Sequence, residues 1–233
     1  MTSDSRSRYA VWTDFGGVLT PPISQDVDDF CRREGIPGDA FRRAMATVAE
    51  PFGGDVMAPL DTPLIPEEEW ASRVSEALHA EVGQRVDLSD FGERWFAGRR
   101  TNQRWLAHLR ELRASGVFLG LISNMPPAWD RQWRRMVPPE GLFDAVVLSF
   151  QVGARKPDAA IFAAAVERSG LPPERCVLVD DLAANCAGAE AVGWRSVHFL
   201  DADDAAARLS RQLAGPATAG TPAAPTATAT PAP

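Results

Sequence analysis

The 233-residue chain is 45% hydrophobic, enough to build a sizeable core, and carries a formal net charge of −7. That acidity excludes a broad electrostatic hold on nucleic acid or anionic lipid, and no run of about 18 apolar residues offers a membrane span. The scattered cysteines Cys31, Cys176 and Cys186 fit reduced thiols rather than a disulfide framework or metal cluster, and residues 1–10 lead into no signal-peptide-like apolar stretch, so a soluble cytoplasmic protein is expected.

The first apolar run, YAVWTDF at 9–15, reaches an aspartate, Asp14, and then the glycine pair Gly16 and Gly17. A turn there is the plain reading of the string alone. No convincing strand follows until residue 117. Helix-like segments fill the interval instead: ISQDVDDFCRREG, DAFRRAMATVAE, PEEEWASRVSEALHAEVG, LSDFGERWFAGRR and then NQRWLAHLRELRASG. So long an interval exceeds a single crossover helix and predicts an inserted helical subdomain over residues 21–100.

Four further apolar runs follow: VFLGLIS (117–123), AVVLSF (145–150), CVLVD (176–180) and RSVHFL (195–200). None alternates cleanly with polar residues, as expected for strands covered on both faces. Helical segments lie between them, including PDAAIFAAAVERSG, which has Pro157 near its first turn and closes on Gly170. Strands alternating with helices predict an α/β protein with a doubly wound parallel sheet. The last residues, 214–233, contain only Ala, Gly, Pro and Thr, and a disordered tail is expected there.

In an open parallel sheet the carboxyl ends of the strands line the ligand crevice, so the insertion after Asp14 would overhang it as a lid. The first strand ends at Asp14 and the second at Ser123 and Asn124. The loop after the third carries Arg155 and Lys156, and the fourth strand ends at Asp180 and Asp181. Singly these residues read as turn formers, helix caps or a solvated lysine. Converging on one rim, three carboxylates would raise one another's pKa unless a cation joined them, and hard oxygen donors suit Mg²⁺. A phosphate could then approach Asp14, with Ser123 and Asn124 donating to its oxygens and Lys156 stabilising charge on the transferring group.

The strings DFGGVLT, LISN, GARKPD and VLVDDLAANCAGAEAVGW, in this order and spacing, resemble the four motifs of the haloacid dehalogenase-like hydrolases. The likeness runs from about Tyr9 to Leu200. It implies a Rossmann-like core over 9–20 and 101–213, with residues 21–100 as the helical cap of the first subclass. It also implies a phosphate monoester hydrolase in which Asp14 forms an aspartyl-phosphate. The implied Mg²⁺ ligands are Asp14, the Gly16 carbonyl and Asp180, with Asp181 as a direct or water-linked fourth. A small phosphorylated metabolite, such as a sugar or organic acid phosphate, is the implied substrate.

One position departs from the family's phosphatases: Gly16 stands where they carry the aspartate that protonates the leaving group, a role worth about 10²–10⁴ in rate. Three readings follow: a hydrolase of substrates with a good leaving group or an acid recruited elsewhere, a metal-independent dehalogenase, or a non-catalytic relative that binds a phosphorylated ligand or a protein. Glu67, Glu68, Glu69 and His79 are the acids nearest to hand in the insertion, though a helix start and solvated face explain them as well. Arg155 is a candidate ligand-side cation; Arg42 and Arg43 read equally well as exposed helix charge. The tryptophans Trp12, Trp70, Trp95, Trp105 and Trp194 are expected in packing, and the basic string RQWRRM on a solvated helix face.

Overall fold

Every residue of β1 (Ala10–Thr13) is buried, which is why AVWT shows no polar alternation: both faces of the strand are covered. It is the middle strand of a parallel sheet completed by β2 (Phe118–Ser123), β3 (Ala145–Leu148), β4 (Cys176–Asp180) and β5 (Arg195–His198). The order is β3-β2-β1-β4-β5. The computed structural model describes residues 8–83 and 85–214. The expected tail therefore lies, beyond Ala214, outside the described residues.

Successive strand residues feed two separate apolar layers. Val11, Leu119, Leu121, Val177 and Val179 face one, while Ala10, Trp12, Ile122 and Leu178 face the other. Trp12 is in register with Gly120 on β2, and a Cβ on Gly120 would fall 2.2 Å from Cε3 of its indole. The glycine is thus the space into which the ring packs, against Phe118 and Trp194 at centroid distances of 5.8 and 6.3 Å.

Between β1 and β2 the chain forms α1 (Ile23–Glu34), α2 (Gly38–Ala49), α3 (Ala58–Asp61), α4 (Glu67–Val82) and α5 (Phe91–Phe96), before α6 (Gln103–Ala114) returns to the sheet. Phe30, Phe41, Trp70, Phe91 and Trp95 meet at ring distances between 4.7 and 6.4 Å and give this insertion its own aromatic centre. The two chain crossings between insertion and sheet are stitched together by Asn102. Its backbone N–H donates to the Leu19 carbonyl (2.8 Å) and its Nδ2 to the Val18 carbonyl (3.1 Å), while its Oδ1 caps α6 by accepting from Trp105 N (3.1 Å).

The remaining helices are α7 (Asp130–Met136), α8 (Ser149–Val152), α9 (Ala159–Ser169), α10 (Ala183–Ala191) and α11 (Ala202–Ala214). Three boundaries differ from the sequence expectation. The third strand stops at Leu148, and Ser149–Val152 coil into α8, with the buried Ser149 hydroxyl accepting from Met125 N (2.9 Å) and donating to the Asp61 carbonyl. The segment expected as a helix through residues 88–100 is helical only over Phe91–Phe96. An unexpected helix, α11, buries Ala205 and Leu209 against α6 and β5. Among the described residues no helix is long and apolar enough to cross a membrane.

Because β2 and β3 extend the sheet to one side of β1 and β4 and β5 to the other, the chain reverses direction at the centre. A crevice opens beyond the carboxyl ends at such a point.

Candidate active site

Asp14 follows β1 directly and is fixed by its own N–H, which donates to the Val179 carbonyl at 2.9 Å. Ser123 and Asp180 end the two neighbouring strands, so sheet register alone brings the three side chains to one rim. Lys156 arrives from the loop before α9 and is 1% exposed. Its Nζ sits 2.8 Å from Asp14 Oδ1 and 2.6 Å from Asp180 Oδ2. Asp181 completes the group: one carboxylate oxygen from each of Asp14, Asp180 and Asp181 lies within 4.8 Å of the others.

The electrostatics follow from this crowding. Burial, partly offset by Lys156, raises the Asp14 carboxyl above its usual range. Asp181 is pushed up to about 7 by burial and then by the Asp14 and Asp180 charges. Burial works against the Lys156 ammonium, but Asp14 and Asp180 overcome it and push its pKa up to about 12. A charged lysine therefore holds Asp14 and Asp180, and Asp181 stands beside this pair without a cation of its own in contact.

The glycine pair divides its duties. Gly17 has φ +77°, and a Cβ on it would fall 2.0 Å from Asp181 Oδ2, so the residue admits both the left-handed turn and the close approach of the carboxylate. Gly16 is outside the left-handed region. A Cβ there would meet only Ile23 Cγ1, at 3.9 Å.

Asp180 and Asn124 are themselves tightly held. Asp180 Oδ1 accepts from Leu182 N and Asn185 Nδ2, each at 2.9 Å. Asn124 brackets the Lys156 main chain, its Nδ2 donating to the carbonyl (3.0 Å) and its Oδ1 accepting from the N–H (2.8 Å). The sequence reading gave Asn124 to a phosphate oxygen; the structure engages both ends of its amide in holding Lys156. Ser123 Oγ, 2% exposed as a residue, makes only a long 3.5 Å contact with the Asn124 carbonyl, so its hydroxyl remains able to donate elsewhere.

Above these groups lies a cavity of about 320 Å³, walled by Asp14, Gly16, Ser123, Lys156 and Asp181 on the sheet side and by insertion residues including Ile23, Val56, Met57 and Asp61. Arg155 lines it too, but its guanidinium is met by Asp55 (2.9 Å) and by both oxygens of Asp61 (2.9 and 3.0 Å). The expected ligand-side cation is thus a strut between the Lys156 loop and the insertion. Burial, partly offset by Arg155, pushes the Asp61 carboxyl up to about 6.

Two further buried contacts at this seam were not expected from sequence. Arg99, with its side chain 3% exposed, pairs with Asp26 at 2.5 Å and lies over the rings of Phe15 and Phe96. Trp129 Nε1 donates to Glu67 Oε2 at 2.7 Å, and Glu67 Oε1 accepts from Gly92 N at 3.1 Å. Glu67 is therefore a half-buried bridge, whereas Glu68, Glu69 and His79 are exposed as expected. Arg42 and Arg43 pair with Asp28 and Glu81, respectively, and do not line the cavity. Arg131 and Arg134 pair with Glu93 and Asp130. Trp12, Trp70, Trp95, Trp105 and Trp194 are buried in packing.

Comparison with known proteins agrees with this arrangement. Sesquiterpene phosphatase astK of Aspergillus oryzae is 32% identical over 116 residues, covering 50% of this chain and 59% of that protein. A glyceraldehyde 3-phosphate phosphatase of Methanothermobacter thermautotrophicus is 38% identical over 92 residues, covering 36% of this chain and 40% of that protein. The chain thus spans less than two thirds of the length of these relatives. A HAD family enzyme from Bacteroides thetaiotaomicron, solved with magnesium and inorganic phosphate, shares the fold at TM-score 0.59 and 21% identity, over 81% of this chain and 92% of that one. The haloacid dehalogenase-like hydrolase family model matches residues 10–193, and the chain belongs to that family of hydrolases.

Proposed function

We propose that the protein is a Mg²⁺-dependent phosphate monoester hydrolase acting through an aspartyl-phosphate at Asp14, with residues 21–100 serving as its cap. The observation that carries this reading is the buried lysine that holds Asp14 and Asp180 beside Asp181 on the floor of a cavity. The printed activities of the relatives support phosphate esters as the substrate class, and the magnesium and phosphate of the Bacteroides enzyme support the metal.

The residues fit a divalent cation. Three hard carboxylates with a single ammonium between them leave an excess of negative charge, and the raised Asp181 carboxyl expresses it. Asp14, Asp180 and the Gly16 carbonyl would hold the ion, with Asp181 as a direct or water-linked fourth. When bound, it neutralises phosphate oxygens and so lowers the cost of bringing a dianion to a carboxylate.

In the first step an Asp14 carboxylate oxygen bonds to phosphorus as the bond from phosphorus to the ester oxygen breaks. Lys156 fixes Asp14 and balances the charge of the transferring group, and the Ser123 hydroxyl donates to a phosphate oxygen. The departing ester oxygen takes its proton from water, because Gly16 supplies none. The hydroxide equivalent so formed attacks the phosphorus of the aspartyl-phosphate, releasing hydrogen phosphate and returning Asp14 as a carboxylate.

The three cysteines are free and buried, in keeping with the cytoplasmic expectation. The test is a panel of phosphate esters assayed with Mg²⁺ and with chelator, for wild type and Asp14→Asn. Phosphate release that needs the metal and disappears in Asp14→Asn is expected; release that survives the substitution removes Asp14 from its role.

A further inference from the structure

A cavity that accepts a phosphate on its floor must seat the esterified organic group against its remaining walls, and those walls are chemically one-sided here. Ile23, Val56, Met57, Met125, Trp129 and Leu182 supply the apolar part of the wall, and Ser24 and Asp61 are among the polar residues beside them. Apart from Ser24 at the exposed mouth, the polar side chains of the wall are largely engaged within the protein. Arg155 is met by Asp55 and Asp61, Arg99 by Asp26, Asn124 by the Lys156 main chain, and Asn185 by Asp180. The Trp129 ring nitrogen is turned to Glu67. Above the floor a sugar hydroxyl or a second carboxylate would therefore meet hydrocarbon and lose its water without compensation.

Position 16 adds to this. With no side chain on Gly16, the nearest atom to its missing Cβ is Ile23 Cγ1, so the lip beside the nucleophile is an open apolar surface rather than a carboxylate. Ile23 and Leu182, at 37% and 54% exposure, place accessible hydrocarbon at the mouth of the cavity.

We propose that the substrate's organic group is apolar, an aliphatic or aromatic hydrocarbon of modest size, rather than a sugar or organic acid. This rests on the phosphate ester reading above. The cavity volume lies near the lower end of the usual range for small-molecule sites, about 300–1,000 Å³, so the group is small enough to be enclosed beneath the insertion.

The experiment separates binding of the organic group from chemistry by using unreactive n-alkylphosphonates of increasing chain length. Their dissociation constants for the Mg²⁺-loaded protein are measured by calorimetry beside those of inorganic phosphate and glucose 6-phosphate. Each added methylene buried in the wall should tighten binding about fourfold until the cavity is filled. Glucose 6-phosphate should bind more weakly than hexylphosphonate, and Ile23→Asn should reduce the gain per methylene. Phosphate binding with no dependence on chain length, or a preference for glucose 6-phosphate, overturns the apolar assignment alone. Failure of inorganic phosphate and every phosphonate to bind overturns the phosphate ester reading and this assignment with it.

Discussion

Replacing Gly17 by alanine probes the link between the first turn and the acidic cluster, because one methyl group strikes both. Its Cβ would fall 2.0, 2.2 and 2.8 Å from Asp181 Oδ2, Cγ and Oδ1, where ordinary contact begins at 3.4 Å. The carboxylate must therefore retreat by roughly 1 Å or more, and misplacement on that scale in an assembled site costs about 10²-fold in rate. The fold suffers less. Holding alanine at φ +77° costs about 1–2 kcal/mol, which for a chain of this size lowers Tm by roughly 2–8 °C. Gly16→Ala is the matched control, since its Cβ meets only Ile23 Cγ1 at 3.9 Å. Phosphate release from an aryl ester is followed against Mg²⁺ concentration for both variants, beside thermal melts. A folded Gly17→Ala with about a hundredth of the activity and a raised Mg²⁺ requirement is expected. Wild-type activity and Mg²⁺ dependence in Gly17→Ala would refute the assignment of Asp181 to the site, as would equal damage from Gly16→Ala.

Lys156→Met removes the cation shared by Asp14 and Asp180 and leaves buried carboxylates unpaired, so unfolding in denaturant without metal should show a loss of about 3–5 kcal/mol. A loss below about 1 kcal/mol would mean the lysine is not holding the cluster. Asp61 gives a pH signature. Its carboxyl is raised from 3.8 to about 6 in the fold, so the native state keeps a proton that the unfolded chain has released. Its contribution to stability is then full below pH 4 and is lost as pH rises through 6, by up to about 3 kcal/mol, on top of the like contributions of Asp26 and Asp181. Asp61→Asn should remove that share of the slope, and an unchanged profile in denaturation at pH 4 and pH 7 would contradict it. Gly120→Ala drives a methyl into the Trp12 ring and should cost about 1–3 kcal/mol without altering KM; a change in KM would place β2 differently against the site.

The three central strands β1, β2 and β4 were legible because they are covered on both faces and read as nearly continuous apolar runs, whereas the edge strands β3 and β5 are only partly buried. Their ends were not. AVVLSF continues as an apolar string into α8, so hydrophobicity carries no mark of the point where Ser149 turns its hydroxyl to Asp61 and the strand stops. The helix α11 went unread beside the Ala/Pro/Thr tail, although Asp201 accepts from the Asp203 and Asp204 N–H groups at its start and the apolar pair Ala205 and Leu209 holds a helical spacing. The rim residues were legible because sheet geometry delivers strand ends to one place whatever the loops do. The seam was not. Arg155 reaches Asp61 across 94 residues and Trp129 reaches Glu67 across 62, and no local pattern encodes such meetings. Both glycines do lie in a turn, as read, but the string could not tell that only Gly17 takes the left-handed backbone and faces Asp181.

The most direct measurement is a rapid acid quench of the protein turning over a phosphate ester labelled on its phosphorus, followed by mapping of the labelled peptide. Label is expected on the peptide that contains Asp14, at a level that rises before free phosphate does, and none on that peptide in Asp14→Asn. Turnover that leaves the Asp14 peptide unlabelled at every time point, or labels another residue, would show that phosphorus is not attacked by this carboxylate.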